Sequence, residues 1–169
     1  MKLDQSLLGG YGPRKFRVLE QWADDLSVWK AEHTSMIIYG LVQKKRTTGR
    51  MIGFIVFMIY EHPGGKGALA LVPYVDLSEL HPDFQGQGLG RRLYKSAAND
   101  LLKDYSCVRS DSIRSPAAEG VWKSICRANP KKTLWHRSQP YQDDSYFEVR
   151  GPGPIRRRPV RVRGHRRKR

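Results

Sequence analysis

The chain has few cysteines and histidines and no long apolar run, and each shortage excludes a class of protein. Only two cysteines, Cys107 and Cys126, occur in 169 residues, too few for a disulfide framework, so a reducing compartment is favoured. The five histidines are scattered and cannot supply the roughly four clustered ligands that zinc requires, so we expect no bound metal. No stretch reaches the ~18 apolar residues of a membrane span, so we expect no membrane contact.

The N-terminus also lacks the basic segment and apolar core that mark a secretory signal. These shortages together predict a cytoplasmic protein. The length suits one enzyme-sized domain, which we assign to residues 1–150. Residues 151–169 begin with Gly-Pro-Gly-Pro, which breaks regular structure and predicts a linker followed by a short appendage.

Acidic residues are missing from the end of the chain. The formal net charge is +15, and residues 156–169 contain nine Lys or Arg and no Asp or Glu, so the rest of the chain carries +6. This segment has too few apolar side chains to bury a core, which predicts a disordered basic tail. Its cations are Arg156, Arg157, Arg158, Arg161, Arg163, Arg166, Arg167, Lys168 and Arg169.

An arginine-rich arm of this kind typically binds a phosphate backbone, because the guanidinium fork matches phosphate oxygens. We therefore expect the tail to contact nucleic acid, a ribonucleoprotein or an acidic protein. A solvated terminus and a targeting signal are the alternatives, since charge runs are often no more than solvated.

Three glycines stand where an apolar strand is expected to meet an amphipathic helix. Residues 68–80 are rich in Leu and Val and predict a strand, and Leu or Ala recurs every fourth residue over 89–101, as on one helix face. Gly86, Gly88 and Gly90 lie between these segments. A helix start exposes backbone N–H groups, and residues without Cβ let a phosphate oxygen approach them. The junction is therefore a predicted phosphate site.

Spacing separates three kinds of phosphate loop. A Walker loop requires Lys and then Ser or Thr after its last glycine, where this chain has Arg91 and Arg92. A dinucleotide loop requires glycines separated by one and then two residues, whereas these are separated by one and one. The remaining pattern, Gln85-x-x-Gly88-x-Gly90, resembles the pyrophosphate loop of the GNAT superfamily of N-acetyltransferases.

Other blocks extend this resemblance over residues 16–149. Residues 80–85 are similar to the family's entry to the loop. Ser115, Ala118 and Trp122 fall on the family's Asn-x-x-Ala-x-x-x-Tyr helix pattern, with Ser and Trp in place of Asn and Tyr. The resemblance implies an α/β (α+β) fold with a mixed, mostly antiparallel sheet flanked by helices. The small, basic chain is compatible with a phage-type member of the family.

The resemblance also implies an enzyme that moves an acetyl group from acetyl-CoA, the acetyl donor, to an amine acceptor. In similar enzymes two strands splay apart and leave free backbone amides for the pantetheine and the thioester oxygen, and the matching positions here are Leu80 and His81. The other implied cofactor-binding residues are Gln85, Gly86, Gln87, Gly88, Leu89, Gly90, Arg91 and Ser115. Asp76, Glu79 and His81 are the candidate bases near the end of the strand, and Glu79 is our prediction.

Trp122 leaves two interpretations open. Many family members place a Tyr there as general acid, a role that an indole cannot fill. A large aromatic residue on a short amphipathic helix favours a core position, and transfer can then proceed largely by proximity. Alternatively, the chain is a catalytically inactive GNAT-like module that binds nucleic acid or protein. No motif marks the acceptor, so small amines, aminoacyl-tRNA, protein N-termini and lysines all stay open.

The remaining periodicities predict the other elements. Four apolar residues at helical spacing predict one or two helices over residues 19–32. They are Val18, Trp22, Leu26 and Trp29. Apolar runs at 36–42 and 51–60 predict a hairpin. A loop is predicted over residues 127–139, before a last strand at 145–150.

Overall fold

An open, mixed and mostly antiparallel sheet forms the centre of the protein. The computed structural model describes residues 2–11, 15–63, 69–111, 114–128, 131–136 and 146–152. Within them the strands are β1 (Lys2–Asp4), β2 (Arg17–Gln21), β3 (Leu26–His33), β4 (Met36–Lys45), β5 (Thr48–Pro63), β6 (Leu69–Leu80), β7 (Cys107–Arg109), β8 (Thr133–His136) and β9 (Tyr146–Arg150), and the helices are α1 (Leu89–Asp104) and α2 (Pro116–Ala128). The strand order is β2-β3-β4-β5-β6-β7-β9-β8, with β1 beside β5. This confirms the predicted fold class.

The predicted hairpin is confirmed as β4 and β5. The two strands pair from Met36 opposite Met58 to Lys45 opposite Thr48. Arg46 closes the turn with a positive φ of 48°. The hairpin is longer than its apolar runs because its polar end continues the backbone ladder, which side-chain polarity does not interrupt.

Apolar side chains cover both faces of the sheet. On one face, called the helix face below, Leu93 and Leu101 of α1 join Ile55 of β5 in the main core. On the other, called the opposite face, Phe54 of β5 packs with Leu8 in a second core. Because successive side chains of a strand point to opposite sides, β5 supplies both cores from neighbouring residues.

The helices predicted over residues 19–32 are wrong. This segment forms β2 and β3, which pair antiparallel around a turn, and Val18 and Trp29 are cross-strand partners. A four-residue spacing also satisfies the two-residue period of a strand, so residues such as Val18 and Trp22 do not distinguish the two structures. The Ala-Asp-Asp turn before Leu26 separates β2 from β3.

The loop predicted over residues 127–139 is also wrong in part. Strand β8 lies inside it and pairs with β9 at the edge of the sheet. Its four residues, Thr-Leu-Trp-His, favour a strand, but in the sequence they stand between Pro130 and Pro140, which dominated the prediction. The predicted last strand is confirmed as β9.

Candidate functional site

A gap opens where β6 and β7 diverge. These two strands run parallel and share a single pair in the described residues, Tyr74 opposite Arg109. Among the described residues, β6 continues beyond Tyr74 to Leu80 with a partner strand, β5, on one side only. The C-terminal half of β6 therefore presents an open edge beside the glycine loop.

The backbone of β6 alternates between β5 and this gap. Gly53 and Leu80 are opposite each other, and the flanking hydrogen bond runs from His81 N–H to Ile52 O at 2.8 Å. Leu80 is therefore at a non-hydrogen-bonded position, so its N–H and C=O point into the gap, and the same alternation applies to Ser78. The free amide predicted at His81 is wrong because that N–H is already bonded within the sheet. The gap-facing positions are Leu80 and Ser78.

A β-bulge decides which side chains face the helices. The register between β5 and β6 shifts at Asp76, which is an extra residue in β6. Cross-strand partners share a face of a sheet. Ser78 lies opposite Ile55 and so is on the helix face, whereas Glu79 lies opposite Phe54 and so is on the opposite face.

The glycine loop ends in an uncapped helix start. Gly88 is the N-cap of α1 and takes φ 76° and ψ −1°, and Gly86 takes φ 74°. Residues with a Cβ rarely adopt this conformation. A Cβ added at either position would meet nothing within 4 Å in the described part of the chain. No described side chain caps this helix and its first turn lacks an acidic residue, so the N–H donors remain available to an anion.

A cavity of about 470 Å³ joins this loop to β6 and to the start of α2. It brings together eight of the predicted site residues. These are Glu79, Leu80, Gln85, Gly86, Gly88, Gly90, Arg91 and Ser115. Residues far apart in the sequence thus meet at one site, with glycines at one end and strand backbone at the other.

Three predicted residues do not line this cavity. The ring of His81 accepts a hydrogen bond at Nε2 from Arg50, at 2.9 Å, and holds the entry to the loop. Gln87 donates from its side chain to the Asp83 carbonyl at 3.0 Å. Leu89 packs against the main core. These contacts support the loop from outside the cavity.

The polar residues of the cavity wall have defined partners. Gln85 donates from its side chain to the Leu80 carbonyl at 2.9 Å, across the gap-facing edge of β6. The Ser115 hydroxyl accepts from the Ala118 N–H at 3.2 Å, as an N-cap of α2 does. Arg91 adds a cation to the wall at the glycine end. That end of the cavity is therefore suited to phosphate.

Two hydroxyls in the cavity were not predicted from the sequence. Tyr94 Oη and Ser78 Oγ lie 2.6 Å apart, and both residues line the cavity. Tyr94 is only 6% exposed, and burial raises the pKa of its phenol. The only sequence signal was a polar-tipped aromatic residue beside Leu93 on the buried stripe of α1. Its meeting with Ser78 depends on the bulge in β6, which no sequence pattern revealed.

Trp122 is a core residue, as the sequence favoured. Its side chain is 1% exposed, stacks on Phe147 with ring centroids 6.3 Å apart, and meets the Tyr94 ring edge-on at 5.8 Å. The indole therefore fills the space between α2 and the sheet. It offers no acid to the cavity.

A known protein family matches the part of the chain that contains this site. Residues 5–118 match the acetyltransferase (GNAT) family. The chain belongs to the GNAT acetyltransferase family. The matched residues include β6, the glycine loop, α1 and the first turn of α2, and so contain most of the cavity wall.

Solved structures similar to this GNAT chain are distant in sequence. The KacTA–DNA complex is similar at 13% identity over 70% of each chain, with a TM-score of 0.51. The ribosomal-protein-S18-alanine N-acetyltransferase from Escherichia coli is similar at 15% identity over 70% of this chain and 71% of that chain, with a TM-score of 0.47. Arabidopsis thaliana NAA60 in complex with acetyl-CoA is similar at 12% identity over 69% and 76%, with a TM-score of 0.48. No curated protein matches the GNAT chain by sequence.

Other predictions concern features away from the cavity. The tail cations at 156–169 lie outside the described residues. Within the described ranges, no cluster of His, Cys, Asp and Glu could hold a metal ion. The helices described here are all too short or too polar to cross a membrane. Cys107 and Cys126 are free thiols, and burial raises the pKa of both, which lowers their reactivity.

Proposed function

We propose that this GNAT chain transfers the acetyl group of acetyl-CoA to an amine and contacts a polyanion through its tail. The observation that carries the proposal is the cavity joining an uncapped helix start to the open edge of β6. Its glycine end suits a pyrophosphate, because backbone N–H groups and Arg91 converge there. Its strand end suits an extended pantetheine, which would pair with the gap-facing backbone of Leu80.

The strand end also suits the chemistry of acyl transfer. Acetyl-CoA supplies a thioester, whose carbonyl carbon is attacked by the amine. The N–H of Ser78 faces the gap and would donate to the carbonyl oxygen as that oxygen gains negative charge. A donor fixed in a strand needs no reorganisation during the reaction, so it lowers the barrier directly.

Glu79 is our proposed base for the acceptor amine. Its side chain is exposed on the opposite face of the sheet, away from Tyr94 and the helices. An amine approaching the gap from that face would meet a carboxylate before it reaches the thioester. Asp76 and His81 are weaker candidates, because Asp76 lies in the bulge and the His81 ring is held by Arg50.

Calorimetric titration of acetyl-CoA into the intact chain tests the cofactor site. Gly88→Glu and Gly90→Glu each place a carboxylate where the pyrophosphate would lie. Gly90 has an ordinary φ, and among the described residues a Cβ there would meet only Leu80 Cδ2, at 3.8 Å, so this variant adds charge without backbone strain. We expect micromolar-class binding by the intact chain and at least about 100-fold weaker binding by both variants, since the added carboxylate occupies the position of the pyrophosphate and repels its negative charge.

Gly120→Glu is the matched control. Gly120 is exposed on α2, outside the cavity, and an added Cβ there would meet nothing within 4 Å in the described residues. The control adds the same charge and should leave binding unchanged. The absence of acetyl-CoA binding by the intact chain would overturn the proposal.

The buried Trp122 supports one alternative, an inactive GNAT-like module that binds nucleic acid or protein. The indole occupies the position where the family resemblance places a tyrosine acid. This alternative predicts that acetyl-CoA binds but that no amine is acetylated. Mass spectrometry of a panel of peptides, polyamines and aminoacyl-tRNA after incubation with acetyl-CoA separates the two functions.

A further inference from the structure

The cavity contains a hydroxyl pair at its strand end that the family resemblance did not assign. Tyr94 reaches down from α1, and Ser78 lies below it on the helix face of β6, with 2.6 Å between their oxygens. The N–H of Ser78 faces the same gap as the open edge of β6. Ser78 therefore brings Tyr94 beside the backbone donor proposed above for the thioester oxygen.

Buried aromatic residues hold the Tyr94 ring in place. Trp122 meets the ring edge-on at 5.8 Å and is itself stacked on Phe147 at 6.3 Å. Trp122 is 1% exposed, so its indole has no room to move away. Trp122, which stands where the family resemblance places a tyrosine, thus fixes the ring of Tyr94 on α1.

The hydrogen bond between the two hydroxyls leaves one proton for the cavity. Either oxygen has the geometry to donate. If Ser78 donates to Tyr94 Oη, the phenol hydrogen is free to point at a ligand in the cavity that both residues line. Burial raises the pKa of Tyr94, which the Ser78 bond only partly offsets, so the phenol stays protonated at neutral pH. The charged groups lining the same cavity are Glu79 and Arg91.

We propose that Tyr94 donates its proton to the sulfur of coenzyme A as the thioester breaks, and that Ser78 is its positioning residue. This inference rests on the proposed acetyl transfer. The amine nitrogen bonds to the carbonyl carbon, the C–S bond breaks, and its electron pair stays on sulfur. Sulfur takes the phenol proton, and the phenolate regains one through the Ser78 hydroxyl from solvent. The amine releases one proton to solvent through the base, so protons balance.

The test compares coenzyme A, which has a thiol, with acetyl-CoA, which has none, by calorimetry between pH 7 and pH 10. A donor beside sulfur stabilises the bound thiolate and lowers the pKa of the thiol in the complex. In the intact chain, the ratio of the Kd for acetyl-CoA to the Kd for coenzyme A should therefore rise between pH 7 and pH 10. The rise should be about tenfold for each unit by which binding lowers the pKa of the thiol. This rise in relative affinity for coenzyme A at alkaline pH is called the gain below. Tyr94→Phe keeps the ring and should remove the gain.

Three further variants separate chemistry from packing. Tyr39→Phe removes another buried hydroxyl, which donates to Asp100 at 2.8 Å outside the cavity, and should leave the gain intact. Ser78→Ala should reduce the gain, and Ser78→Thr, which restores a hydroxyl, should recover it. With an acceptor in hand, Tyr94→Phe should lower kcat by about 100-fold with little change in KM.

An unchanged gain in Tyr94→Phe would overturn the assignment of Tyr94 while leaving acetyl-CoA binding and the proposed function in place. An absence of acetyl-CoA binding in the intact chain would instead overturn both. If Tyr94→Phe fails to fold, an unchanged gain in Ser78→Ala would still contradict the paired hydroxyls.

Discussion

Arg109 is a buried cation at the point where β6 and β7 diverge. Its side chain is 9% exposed, and its Nε donates to Glu148 Oε2 at 2.7 Å. Its NH1 donates to the Tyr74 hydroxyl at 2.6 Å, and its guanidinium lies 4.7 Å from the centre of the Tyr146 ring. Because the Tyr74–Arg109 pair is the last link before the gap, this ion pair fixes the apex of the candidate site.

Glu148→Gln should destabilise the protein by about 3 kcal/mol, because it leaves the Arg109 cation buried without its counter-charge. Urea unfolding followed by circular dichroism measures the loss. Glu119→Gln is the matched control, since Glu119 makes an i,i+4 pair with Lys123 at the surface, and little change is expected. Equal stability of Glu148→Gln and the wild type would contradict this account of the apex.

The same pair gives a pH dependence with a definite sign. Burial alone would raise the pKa of Glu148, but hydrogen bonds from Arg150 and Arg109 outweigh it and hold the pKa below its ordinary value of 4.5. The pair therefore stabilises the fold fully above about pH 4.5 and loses this contribution as the pH falls through the lower folded pKa. The stability difference between wild type and Glu148→Gln should narrow over that acidic range.

At the scale of elements, the open edge of β6 makes adjacent amides behave differently. His81 N–H is bonded to Ile52 O, whereas Leu80 N–H faces the gap. Without ligand, the Leu80 amide should exchange with solvent much faster than that of His81. Saturating acetyl-CoA should slow amide exchange at Leu80 by more than about tenfold and should change the exchange rate at His81 less. The reason is that a bound pantetheine would pair only with the open edge.

Hydrogen exchange measured by NMR on the intact chain provides this comparison, with His81 as the internal reference. Gly90→Glu supplies the second control, because a chain that cannot bind the pyrophosphate should show no slowing at Leu80. Equal protection of Leu80 and His81 without ligand would contradict the gap.

Elements with strong local signals were predictable from the sequence. The apolar runs gave the β4–β5 hairpin, and the strand–glycine–helix junction gave β6, α1 and most of the cavity wall. The helix prediction for residues 19–32 was wrong because a spacing of four fits a strand as well as a helix. The contact between Tyr94 and Ser78 was not predicted for another reason. It requires the bulge at Asp76, which depends on the long-range register of β5 and β6.

At the scale of the whole molecule, positive charge is concentrated at one end of the chain. Of the formal +15, nine charges lie in residues 156–169. The described chain stops at Pro152, just after Gly151 N–H donates to Ser106 O at 3.0 Å. A Cβ at Gly151 would approach Leu102 Cβ to 2.7 Å, so this residue is packed closely against α1. A truncation that respects the fold therefore ends after Pro152, not before Gly151.

Removal of residues 153–169 should leave acetyl-CoA binding unchanged and weaken binding to single-stranded RNA. The proposed cofactor cavity is lined by residues no later than Val121, which the truncation does not touch. The nine lost cations should reduce the slope of log affinity against log salt by up to about 6, since each phosphate contact on a single strand contributes about 0.7. Fluorescence anisotropy over a salt series measures the slope, and a variant with the nine cations replaced by Gln controls for chain length. If the slope is the same with and without the tail, the polyanion contact belongs to the folded domain, whose α1 carries Arg91, Lys95 and Lys103 along one groove.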